Sequence, residues 1–221
     1  MNQEQAGPRK PGRPNRNDSD ARGALLDAGL ACVVEHGSSA VSIKQIAEQA
    51  GVTPASLHYH FADKSGLLDA LIEERLLPVM AGLRHALADA DSSPAVQASA
   101  LVEGVFAMVE QHPWLPRLWL REVLSEGGAL REVLVARIAP ILPQALAQQF
   151  LAAQKRGELS PALDPRLLVV SLIGLTLFPL AAEPIWSQVF APAPANHHRL
   201  KQHTLALIQS ALSATTVGPP A

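Results

Sequence analysis

The sequence predicts an all-α chain, with an N-terminal three-helix unit of helix-turn-helix type followed by a larger helical unit. Three observations predict it. Apolar residues recur every three or four positions through most of the 221 residues, no credible strand pattern occurs, and breaks rich in Pro and Gly cut the chain into helix-sized pieces.

Residues 1 to 19 read as a flexible basic arm. The run GPRKPGRPNRN carries Arg9, Lys10, Arg13 and Arg16 with no acid among them and offers nothing to a core. From Asp20 the pattern turns helical, with Leu26, Leu30 and Val33 on one stripe, and it stops at Gly37 after His36. Ser42 opens a short second helix, because its hydroxyl can cap the end while Gln45 returns the bond. Ile43, Ile46, Ala47 and Ala50 form its buried stripe. Gly51 supplies a tight turn, Thr53 suits the next N-cap, and Pro54 suits the first helical position, where its missing N–H costs nothing. This third helix runs to Phe61, and residues 20 to 66 form the first unit.

Asp63 caps a longer fourth helix that Pro78 is expected to kink. The segment ADADSSP, residues 88 to 94, ends it, and further helices are expected over 95–111, 114–125, 129–156, 165–182 and 197–213. Pro140 and Pro143 should bend the third of these. Residues 67 to 214 form the second unit, and 215 to 221 a tail.

Composition narrows the function classes. With 48% hydrophobic and 17% charged residues the chain is no disordered solvating segment, and its apolar surface suggests a partner subunit. A net charge of −2 means that any affinity for nucleic acid must be local. The lone Cys32 builds neither an internal disulfide nor a thiolate metal cage; it reads as a small buried hydrophobe in a reducing cytosol. The polar start MNQEQAGPRK is no signal peptide. The apolar run from Leu167 to Ala182 falls short of the roughly 20 residues of a membrane span and contains Pro179, so a buried interface helix is expected.

The chemistry concentrates between residues 42 and 61. Two short helices joined at a glycine corner fit a motif whose second helix enters the major groove, although ordinary helical hairpins share that spacing. Ile43, Ile46, Ala47, Val52, Leu57 and Phe61 would pack inward, leaving Lys44, Thr53, Pro54, Ala55, Ser56, His58 and Tyr59 outside. Lys44 can donate to guanine and the Ala55 methyl can meet a thymine methyl. Ser42, Thr53, Ser56, His58, Tyr59 and Lys64 are donors suited to phosphate.

The run VSIKQIAEQAGVTPASLHYHFADKSGLLDAL, residues 41 to 71, resembles the DNA-binding domain of the TetR family. The matching pattern is a Ser- or Thr-led helix, I-A-x-x-A-G-V, a recognition helix ending L-Y-x-H-F, and a lysine three residues later. The resemblance implies a homodimer of all-helical subunits that binds operator DNA, with a small-molecule pocket in the C-terminal unit. It assigns base contacts to Lys44, Pro54 and Ala55, phosphate contacts to Ser56 and Lys64, and a sugar-phosphate contact to Tyr59. His58 stands where the family usually has a phosphate-contacting tyrosine, which predicts operator binding that strengthens when the ring is protonated. Ala55 replaces a frequent glycine, and KPGRP, residues 10 to 14, resembles a hook that lays Arg13 in a narrow minor groove.

Two demands fall on the C-terminal half. Paired recognition helices must meet half-sites about 34 Å apart, so a dimer contact is expected. The helix over 165–182, with Leu172 and Ile173, and the last helix, with Leu205, Ile208 and Leu212, are its candidates. For an effector pocket the candidates are Phe106, Met108, Trp114 and Phe178 with the polar Arg117 and Arg121, near Trp119, Trp186 and Glu122. The run HPWLPRLWLREVLSEGG, residues 112 to 128, is also weakly similar to the ligand domain of CecR-like members of the family, which names no ligand. His197, His198 and His203 lack ligand-spaced partners and read as a solvated helix start, so neither metal nor cofactor is expected. No P-loop, H-E-x-x-H or G-x-S-x-G motif points to an enzyme. The expected function is a repressor released from a palindromic operator by an unidentified small molecule. An activator of the same fold, or a helical small-molecule carrier without DNA function, remains open.

Overall fold

The computed structural model describes residues 16–86, 93–126, 128, 130–138, 142–190 and 196–213, and among them there are helices and no strand. The arm with Arg13 and the tail from 215 lie outside the described residues. The first helix, α1 (Arg16–His36), begins four positions earlier than its apolar stripe, because a run of polar residues can extend a helix without burying anything.

α2 (Ile43–Gln49) starts at the expected capping box: the Ser42 hydroxyl accepts from Gln45 N at 3.2 Å and the Gln45 side chain accepts from Ser42 N at 2.9 Å. Gly51 takes a φ of +68, the left-handed conformation that a side chain disfavours, and turns the chain into α3 (Pro54–Phe61). Thr53 occupies the N-cap position but its hydroxyl makes no capping bond. α4 (Lys64–Leu71) is capped by Asp63, whose carboxylate accepts from Gly66 N at 2.9 Å. The kink expected at Pro78 appears as a wide π-type turn, Ile72–Leu76, between α4 and α5 (Leu77–Ala86). Its position fits the clash of a proline ring with the carbonyl four residues earlier.

α6 (Pro94–Gln111) and α7 (Leu115–Leu118) follow, and α7 runs into a second wide turn, Trp119–Leu124. The single bent helix expected over 129–156 is two. α8 (Leu130–Val133) ends in a third wide turn, Leu134–Ile138, and α9 (Pro143–Lys155) starts afresh with Pro143 at its first position. Pro140 lies outside the described residues. α10 (Pro165–Ala181) bends by 71° into α11 (Glu183–Val189), a helix the sequence reading did not expect, and α12 (His197–Ser213) follows. Among the described residues no single helix is long and apolar enough to cross a membrane. Inside α10, Pro179 cannot donate to the Leu175 carbonyl; the buried Thr204 hydroxyl of α12 lies 3.5 Å from that oxygen.

Two apolar cores result. Leu25, Leu26, Ile46, Leu57, Phe61 and Leu67 centre the head formed by α1 to α4, and Leu118, Val123 and Leu130 reach into it from the other half. Leu101, Val102, Phe150, Leu159 and Leu172 centre the second core. Trp114 and Trp119 pack against both. Cys32 is buried, as its apolar surroundings predict; burial raises its thiol pKa, with Glu35 adding to the effect, and the thiol donates to Gln49 at 2.9 Å.

Candidate functional site

Leu57 and Phe61 anchor α3 in the head, and this sets its opposite face outward. Thr53, Pro54, Ala55, His58 and Tyr59 are exposed on that face, Ser56 is half-buried, and Ser42 and Lys44 of α2 are exposed beside it. Tyr59 is 74% exposed, a large cost for an aromatic ring unless a partner covers it. The outward set carries hydroxyl, imidazole and ammonium donors on short side chains, a surface able to approach base edges and phosphates closely. Lys44 meets only an exposed Glu48 at 3.8 Å, which holds it weakly.

Two residues are restrained. Lys64 Nζ donates to the Ser39 carbonyl at 3.2 Å, fixing the ammonium beside the loop between α1 and α2. His58 Nδ1 lies 2.6 Å from the Ala62 carbonyl oxygen. A carbonyl only accepts, so Nδ1 carries the proton and the free Nε2 presents a lone pair when the ring is neutral and an N–H when it is protonated.

In the second half, Leu101, Val105, Met108, Trp119, Leu146 and Ile173 belong to the wall of an apolar cavity of about 70 Å³. Of the residues the sequence offered for the pocket, Met108 and Trp119 line it. Phe106 is packed in the core and Trp114 sits at the seam between the cores. Arg117 and Arg121 line a separate surface groove with Val34 and Ile185. Phe178 is 64% exposed on the outer face of α10 and lines neither the cavity nor the groove. The dimer candidates also need correction: Leu172, Ile208 and Leu212 are buried inside the subunit, and Ile173 and Leu205 are half-buried. The outward row on the same helices is Leu167, Val170, Leu175 and Phe178 of α10 and Leu207 of α12, continued by Ile185 and Val189 of α11. His197 Nε2 lies 2.9 Å from Glu183, joining α12 to α11, and no three metal-ligating side chains converge among the described residues.

Residues 25–71 match the family described as bacterial regulatory proteins of the tetR family, and residues 94–210 match the tetracyclin repressor-like C-terminal domain. The chain belongs to the TetR family. Its relatives include the HTH-type transcriptional regulator BetI of Serratia proteamaculans, 33% identical over 149 residues, 60% of this chain and 75% of BetI. The HTH-type transcriptional repressor KstR2 of Mycobacterium tuberculosis is 32% identical over 91 residues, 41% of this chain and 45% of KstR2. The solved structure of KstR2, described as a ketosteroid transcriptional regulator, has a TM-score of 0.66 at 22% identity and covers 87% of this chain and 93% of its own. FadR of Bacillus subtilis, solved in complex with stearoyl-CoA, has a TM-score of 0.64 at 18% identity, covering 85% and 97%. Both structures share the fold. This TetR-family chain is thus a helix-turn-helix, DNA-binding transcriptional regulator.

The TetR-family head and the C-terminal half meet at Glu122 and Arg121, which the sequence grouped with the pocket candidates and not at a junction. Glu122, 2% exposed, accepts from Ser38 N at 2.8 Å and from the Ser38 hydroxyl at 2.6 Å. Gly37 makes this possible with a φ of +89. Arg121 donates to the Glu35 carbonyl, complementing the negative end of α1. The lone acid in the apolar run WLREVL was the available signal, since a buried carboxylate demands a partner.

Proposed function

We propose that this regulator is a homodimeric repressor that leaves a palindromic operator when an elongated apolar molecule, a fatty acyl thioester in the first instance, occupies the cavity behind Trp119. The exposed face of α3 carries the DNA half of this reading. Thr53, Pro54 and Ala55 face base edges, with Lys44 alongside, while Ser42, Ser56, His58, Tyr59 and Lys64 hold phosphates and sugars. Arg13 extends the contact into the minor groove.

The second copy docks on the outward apolar row of α10 and α11. A row of Leu, Val and Phe in water is unfavourable by roughly 25 cal/mol per Å², and covering it sets two α3 helices one helical turn apart. The effector class follows from the cavity lining, which Met, Leu, Val, Ile, Trp and Pro supply without a charged group. Stearoyl-CoA in the FadR structure supports a thioester, and the ketosteroid description of KstR2 supports apolar effectors more broadly.

Sedimentation of the full chain with a palindromic operator fragment, followed by titration with stearoyl-CoA, tests the reading. A dimer that binds the fragment and is displaced by micromolar thioester is expected. A monomer, or a complex indifferent to acyl-CoA, acylcarnitine and sterol alike, would refute it.

A further inference from the structure

The surface groove that holds Arg117 and Arg121 encloses about 370 Å³, against about 70 Å³ for the core cavity, and shares no wall residue with it. Three parts of the fold meet there. Val34 comes from α1, Arg117 from α7 with Leu120 and Arg121 from the wide turn that follows it, and Pro184 and Ile185 from the elbow where α10 bends into α11. A cleft of this size accepts a small organic molecule. Ile185 also belongs to the outward row of α10 and α11, so the groove adjoins the face on which the second copy docks.

The charge of the groove is one-sided. Arg117 and Arg121 stand four positions apart, both exposed and both in the same wall, an arrangement that is unfavourable between like charges. No carboxylate lines the groove to offset them; Glu122, next in the chain, is buried against Ser38. Among the described residues Arg117 has no hydrogen bond or ion pair, and Arg121 uses only Nη1, on the carbonyls that end α1. The Arg121 stem packs against Gly37, where a Cβ would come within 3.4 Å of its Cδ. Nε and Nη2 of Arg121 and the whole Arg117 fork are left for a partner from outside, and a guanidinium fork matches a carboxylate or a phosphate in plane. Beside them Val34, Leu120, Pro184 and Ile185 supply an aliphatic wall.

We propose that this groove is a small-molecule site in its own right, which takes an organic anion with a compact apolar body. The carboxylate or phosphate ester bridges Arg117 and Arg121, and the body lies on the aliphatic wall. The anion relieves the repulsion between the two guanidinium groups, and the apolar wall strengthens the pairing relative to bulk water. The site is separate from the acyl reading above, since no residue of the core cavity takes part, and either can fail without the other.

The test uses the full chain with para-bromobenzoate, para-bromophenyl phosphate and the neutral para-bromobenzamide. Affinity is read by calorimetry, and the bromine is located by anomalous diffraction from soaked crystals. Both anions are expected to bind once per chain with bromine in the groove, and the amide about tenfold more weakly or worse, the loss of one charge-assisted contact. Arg117→Gln should weaken both anions by a similar factor and leave the amide unchanged. Circular dichroism reports the fold of the variant, and the comparison of benzoate with benzamide on the wild type stands without it. Binding of one anion and not the other supports the site and assigns its ligand to that class. Equal affinity for anion and amide, bromine elsewhere on the chain, anions indifferent to Arg117→Gln, or no binding of either anion overturns the site.

Discussion

The outward faces of the two halves differ in kind. On α3 the exposed residues are small or polar, with one large hydrophobic side chain, Tyr59; on α10 and α11 the exposed large hydrophobics are Leu167, Val170, Leu175, Phe178, Ile185 and Val189. A polar face costs nothing in water and waits for a partner rich in donors and acceptors. An apolar face is costly in water and implies near-permanent cover. The first suits reversible contact with DNA, the second an obligate copy.

The largest expected effect breaks the apolar side. Phe178→Glu should give a monomer whose operator affinity drops roughly 100-fold or more, because linked half-site binding is lost; sedimentation and anisotropy report it, and an intact dimer would place the contact elsewhere. On the polar side the loss is smaller. Tyr59→Ala should weaken operator binding about tenfold, about 1.4 kcal/mol, and Lys64→Ala should lower the salt slope by about one.

Between the two faces, Ser38→Ala removes one of the two bonds that this residue gives the buried Glu122 carboxylate, leaving only the one from the backbone amide. A loss of about 1 to 3 kcal/mol follows, seen as a Tm lower by a few degrees. The smallest effect is acid stability. The Arg22 bond holds Glu74, and the Arg137 bond holds Glu73, below the ordinary carboxylate range; the Arg166 side chain, with backbone N–H donors, lowers Asp164 to about 2. Carboxylates depressed on folding stabilise at pH above their unfolded values and lose that contribution as pH falls through the folded ones. Helicity followed by circular dichroism should therefore keep the α10 cap until pH drops from 3.8 towards about 2.

The head was legible because each of its joints has local chemistry. Ser42 with Gln45, Gly51 and Pro54 mark helix ends by hydrogen bonding or allowed φ, and the apolar stripe then dictates which residues face out. α10 offered no such direction. It is apolar on nearly all sides, so spacing alone did not separate the buried Leu172 from the exposed Phe178. Wide turns are equally silent in sequence, since one extra residue per turn scarcely disturbs an apolar pattern. The aromatic cluster misled for a related reason: Trp114 and Trp119 supply bulk at the seam between two cores, and only Trp119 also lines a cavity.

Footprinting of the DNA flanking the protein's own gene, with wild type and Tyr59→Ala side by side, tests most directly whether the outward face of α3 meets a duplex. Two protected half-sites about one helical turn apart, weakened together in the variant, are predicted. Protection that ignores the Tyr59 substitution, or no protection at any concentration, would contradict that role for the face.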